Sequence, residues 1–142
     1  MGYMTAKEYL RQYEELNRRA RRLKAEYETE LEKIDAIGST LASDGTPHGT
    51  GVSKRTEIKA IRLADKALAW KEIELEAIAK RQEIFDMIHN ISGLEGEILF
   101  ERYVNLRKWE QICVQLNISW NAVHYNHRKA LAIVQNRLDN LV

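Results

Sequence analysis

Asn121, His124, Tyr125 and Arg128 follow one another at steps of three, one and three residues. On an α-helix that spacing sets all four on one side. An asparagine amide can pair with the edge of adenine, and an arginine guanidinium with guanine or a phosphate. Trp120 stands at the start of the same run, directly after Ser119, a residue type that caps helix N-termini. From Gln111 to Leu138 there is no Asp or Glu, while His124, His127, Arg128, Lys129 and Arg137 all lie inside the stretch. Phosphate oxygens can approach such a segment without repulsion. The chemistry these side chains suggest is the reading of bases in a DNA groove.

Three helical patterns must position them. The third runs from the Ser119 cap to about Leu141, with Val123, His127, Ala130, Leu131 and Val134 on one face. The second, Trp109 to Leu116, carries Trp109, Ile112, Cys113 and Leu116. The two meet at Leu116–Asn117–Ile118–Ser119, a spacing that matches a helix-turn-helix. Such a turn needs one residue in a left-handed conformation, which asparagine tolerates. Ile118 is expected under the turn. With Val123 facing inward, the base-reading set faces outward, where helix-turn-helix proteins place their reading side chains. His127 falls on the inward arc and is expected to be packed; Asn126 borders that arc and reads as structural. The first pattern, Leu94 to Val104, shows Leu94, Ile98, Leu99 and Tyr103 on one side. Ser92, with Glu95 three residues on, matches a capping box at its start.

Upstream lies a different kind of sequence. Four of the seven glycines and the only proline fall between Gly38 and Gly51, so 38–53 reads as a flexible connector. Before it, a capping box at Thr5 and Glu8 opens a helical run. Its apolar residues are Tyr9, Tyr13, Leu16, Ala20, Leu23, Tyr27, Leu31 and Ile34, a repeat close to the heptad. After it, from a possible cap at Ser53 to about Asn90, a second run carries Ile58, Ile61, Ala64, Leu68, Leu75, Ile78, Phe85 and Ile88. Trp70, Ile73 and Ile84 widen that stripe. A helix this long is not stable alone. The pair therefore implies an antiparallel hairpin, a coiled-coil dimer, or both.

The expected fold is all-α. A long two-helix hairpin or coiled coil occupies 1–91, with the flexible connector at 38–53. A three-helix helix-turn-helix module occupies 92–142. Within the first long run, Arg18, Arg19, Arg21, Arg22 and Lys24 form a basic block, followed by Glu26, Glu28, Glu30 and Glu32. The block reads as a salt-bridged solvated surface or as a second DNA-backbone contact. The segregation of signs favours staggered or antiparallel pairing, and the chain is expected to form a homo-oligomer, a dimer being the simplest.

The segment Glu101 to Leu131 resembles region 4 of bacterial sigma factors. It is more similar still to the phage RinA/ArpU-type late-transcription activators. Arg102, Tyr103 and Val104 resemble that family's close of the first helix, and Lys108, Trp109, Glu110, Gln111 and Ile112 its start of the second. Leu116, Asn117, Ile118 and Ser119 resemble its leucine-glycine-tyrosine-serine turn. Val123, His124, Arg128, Ala130 and Leu131 fit the rest of the family's pattern, and Met4 to Leu23 resembles the N-terminus of such proteins. Asn117 stands where the family has glycine, and Asn126 where sigma-like domains place an apolar residue. The resemblance implies a bacteriophage or prophage transcription regulator, an activator of late genes, working in the cytoplasm of a bacterial host. It implies double-stranded DNA as partner, and an activator also needs a contact with host RNA polymerase. The DNA-binding set is then Ser119, Trp120, Asn121, His124, Tyr125, Arg128 and Lys129, joined by Lys108, with the Arg18–Lys24 block as a second patch.

Composition narrows the alternatives. The 142 residues carry 22 basic and 21 acidic side chains, so net charge gives no global argument for nucleic acid. One cysteine excludes an internal disulfide and a multi-cysteine zinc finger. No apolar run approaches the roughly 20 residues of a membrane span, and no secretory signal opens the chain. His124 and His127 lack a third ligand nearby, so no metal is expected. The two Asn-Ile-Ser sequons read as accidental. No phosphate loop, nucleophile elbow or zinc-protease motif occurs, so a non-enzyme without cofactors is expected. Two further readings remain. One is a small terminase-type packaging subunit. The other is a helical adaptor for RNA polymerase, with Trp109, Trp120 and Tyr125 as anchors.

Overall fold

The computed structural model describes residues 4–44 and 50–141. The fold is all-α, with no strand among the described residues. In chain order the helices are α1 (Ala6–Leu10), α2 (Gln12–Asp44), α3 (Thr50–Ile88), α4 (Gly93–Leu99), α5 (Trp109–Leu116) and α6 (Trp120–Asp139). A π-helical turn, Phe100–Val104, continues directly from α4.

Helix α1 starts where the capping box predicts. The Glu8 amide donates to Thr5 Oγ1 at 3.2 Å, and the Thr5 amide donates to Glu8 Oε2 at 3.3 Å. The expected single run is interrupted at Arg11, which separates α1 from α2. The connector needs a larger correction. Helix α2 continues through Gly38 to Asp44, and α3 begins at Thr50, so Ser53 lies inside a helix rather than at its cap. A lone glycine costs a helix only about 1 kcal/mol, and the alanines and leucine around Gly38 offset it. The rest of the predicted connector, 45–49, lies outside the described residues.

The chain divides into two compact units, Met1–Leu16 with Glu76–Val142, and Asn17–Leu75. A module boundary at 91/92 is therefore not where the contacts divide the chain. In the first unit the N-terminal segment packs against the C-terminal helix. The Ala6 amide donates to Gln135 Oε1 at 2.8 Å, and Leu10 is fully buried. Leu10, Ile84, Ile88, Leu99, Tyr103 and Val134 share one core, which draws on α1, α3, α4, the π-turn and α6. A second small core joins Ile98, Ile112 and Val123, edged by Leu94, Trp109, Cys113, Leu116 and Ile118. It welds α4, α5 and α6 together.

In the second unit α2 and α3 pair. The Tyr27 and Trp70 rings lie 5.6 Å apart, and Lys24 Nζ sits 5.5 Å over Trp70. Five residues reach about 17 Å, less than half the length of either helix. Helices joined by 45–49 and lying side by side must therefore run antiparallel. The α2 seam in this unit is the predicted heptad row, partly or fully buried from Ala20 to Ile34. On α3 the expected stripe is displaced. Its covered side is Leu63, Ala67, Trp70 and Ile73, whereas Ile58, Ile61, Leu68 and Leu75 are exposed. Rows offset by two residues lie on opposite sides of a helix. Helix α3 thus carries two apolar sides, and the set that included Trp70 and Ile73 is the one α2 covers.

No helix among the described residues is long and apolar enough to cross a membrane.

Candidate nucleic-acid interface

The helix-turn-helix is built as its sequence indicates. Asn117 closes α5 in the left-handed region, at φ 53° and ψ 51°. Its amide and that of Ile118 donate to the Val114 and Cys113 carbonyls at 3.3 and 3.1 Å. Ser119 then caps α6, its Oγ accepting from the Ala122 amide at 3.1 Å. Val123, His127, Ala130 and Val134 are buried in register, which fixes the rotation of α6. Asn121, Tyr125, Arg128 and Lys129 are consequently exposed, as is Trp120 at the helix start. Arg128 has no ion-pair partner among the described residues.

His124 does not join them as expected. Its ring lies between Trp120 and Trp109, at 4.5 and 4.8 Å, and its Nε2 is buried with no hydrogen-bond partner. Helical spacing gives the direction of a side chain, not the neighbour that covers it. Trp109 comes from the adjacent helix and does so here. His124 is a brace between two tryptophans. A ladder of rings continues inward, since Trp109 also meets His127 at 4.6 Å.

Lys129 is also partly engaged. Its Nζ lies 3.4 Å from Glu95 Oε1 on α4 and 5.2 Å over the Tyr125 ring. The acid-free stretch thus has a carboxylate beside it in space that is absent in sequence. Glu95 does not complete a capping box, because Ser92 makes no side-chain cap bond. The carboxyl is held below its usual range first by a bond to its own backbone amide and then by Lys129.

His127 is buried, and its Nε2 lies 2.7 Å from the Tyr103 hydroxyl. Burial pushes the imidazole down to about 4, with Lys7 and other cations adding to the shift. Burial likewise pushes the Tyr103 hydroxyl up to about 12. The bond therefore joins two neutral groups. Asn126 turns inward along its own helix, its Nδ2 donating to the Ala122 carbonyl at 2.8 Å. That bond satisfies a polar group at a position suited to an apolar one.

Lys108 is exposed at the N-terminus of α5, where its amide donates to Gln111 Oε1 at 2.9 Å. The loop that delivers it was not legible in sequence. Glu101 is buried and accepts from Arg107 Nε and from Asn105 Nδ2. Arg102 donates to the Arg107 carbonyl at 2.9 Å and lies 4.9 Å over the Trp109 ring. Leu106, at φ 56°, makes the bend. The one available signal was the alternation of acid and arginine at 101, 102 and 107.

In the other unit, Arg18, Arg19, Arg21, Arg22 and Lys24 are all exposed on α2. No group of three His, Cys, Asp or Glu side chains placed to hold a metal occurs among the described residues. No family model, curated protein or solved structure matches this chain.

Proposed function

We propose that this chain is a sequence-specific double-stranded DNA-binding transcription regulator of the phage type, acting without catalysis or a cofactor. The observation that carries the reading is the outward face of α6. Asn121, Tyr125 and Arg128 stand exposed on its first turns, behind a left-handed turn and a serine cap. Asn121 and Arg128 are the base-reading pair, while Ser119, Lys108 and Lys129 supply contacts to the phosphate backbone. The exposed Arg18–Lys24 block is a further backbone contact. Activation of late genes in a bacterial cytoplasm is the role that the sigma-like resemblance supports. Selection of bound fragments from a random duplex pool tests the reading. One enriched sequence is expected; a pool that stays random, with no retention at low salt, contradicts it.

A second reading, contact with RNA polymerase, has its own support. Val114 on α5 is 82% exposed, and Trp120 and Tyr125 on α6 are about half exposed. Exposed aromatic side chains such as Trp120 and Tyr125 anchor protein interfaces. Co-sedimentation with the polymerase in the absence of DNA separates this contact from the first.

A further inference from the structure

Helix α3 leaves one apolar row uncovered. Ile58, Ile61, Leu68 and Leu75 are each 51–67% exposed, although four large aliphatic side chains share that side. Ile61, Leu68 and Leu75 repeat at intervals of seven residues, the spacing by which one helix meets another along a supercoiled seam. Helix α2 cannot be the missing cover. It already occupies the opposite side of α3, at Leu63, Trp70 and their neighbours, with its own heptad seam turned inward.

Charge indicates what the cover is. The exposed charges around the row are Lys54, Arg62 and Lys71 on one hand and Glu57, Asp65, Glu72 and Glu76 on the other. Both signs alternate along the row, so the basic side chains of one copy can meet the acidic ones of another. A polyanion such as DNA, or an acidic partner, would call for a basic rim instead.

We propose that the Ile61–Leu68–Leu75 row is a self-association seam, covered in solution by the same row of a second copy of this chain. The contact is isologous, and the heptad repeat supplies both the knobs and the holes. The seam stands whether or not the helix-turn-helix binds DNA.

The test is the mass of the full-length protein in solution, without DNA, at tens of micromolar. Wild type is expected at twice the 16.5 kDa chain mass. Leu68→Glu and Ile61→Glu are each expected to halve the measured mass and to leave the helical circular dichroism unchanged, since both side chains face away from α2. Val114→Glu, on an exposed site in the other unit, is expected to leave the dimer intact. A monomeric wild type overturns the proposal. So does a dimer that survives both α3 substitutions, or one that Val114→Glu dissolves.

Discussion

The Tyr103 hydroxyl lies 2.7 Å from Nε2 of His127, and both rings are buried where the π-turn after α4 crosses α6. The bond ties α6 to the body of its unit through two neutral groups. Protonating His127 would place a cation in an apolar site.

Stability should therefore depend on pH in a defined direction. The unfolded chain holds a proton on this histidine below about 6.5, whereas the folded chain keeps it neutral down to about 4. Unfolded molecules bind more protons in that window, so stability falls as pH drops through it. The expected loss from His127 between pH 7 and 5 is on the order of 1–2 kcal/mol. Urea melts should show it, and His127→Gln should flatten the dependence over the same range.

Gly96 is required by space. A Cβ there would lie 1.8 Å from the Ile91 carbonyl oxygen, which is backbone and cannot swing aside. Gly96→Ala should destabilise the first unit by about 2–3 kcal/mol or more, through displacement of α4. A thermal shift of a few degrees or less would show that α4 relaxes more freely than its packing suggests.

The turn at Asn117 should respond in opposite directions to two small residues. Asn117→Gly keeps the left-handed conformation without a Cβ and should leave stability level or raise it by a few tenths of a kcal/mol. Asn117→Ala should lower it by about 1 kcal/mol. Paired denaturation curves decide the point, and equal midpoints for the two would contradict the strained turn.

His124 and Arg128 should separate by readout. His124 braces two tryptophans and has a buried, unpartnered Nε2. His124→Ala should lower the unfolding midpoint and weaken DNA binding evenly across sequences. Arg128→Ala should leave the midpoint unchanged and lose selectivity at one base position. A selective loss from His124→Ala would return that residue to the base-reading set.

The parts legible in sequence are those that short-range chemistry fixes. Thr5 with Glu8, Asn117, Ser119 and the Val123–His127–Ala130–Val134 row all act within one or two turns of their own position. What the sequence hid depends on partners far along the chain. His124 is covered by Trp109, Lys129 is met by Glu95, and Ala6 is bound by Gln135. Helix α3 is the same problem in another form. Two apolar rows on opposite sides blur the helical periodicity, and only the position of Tyr27 against Trp70 tells which row is covered. The connector was overextended because glycine counts signal breaks, while helix propensity around Gly38 outweighs a single glycine.

The role proposed for the exposed face of α6 is to read duplex DNA. The most direct measurement is fluorescence anisotropy of a labelled duplex carrying the selected sequence, titrated with wild type, Asn121→Ala and Arg128→Ala across a salt series. Wild-type affinity should fall steeply and linearly on a log–log salt plot, through counterion release. Each alanine should cost about 1–3 kcal/mol on the selected site and little on random DNA. Binding that is absent at low salt, or equally strong in wild type and both variants, would contradict the account.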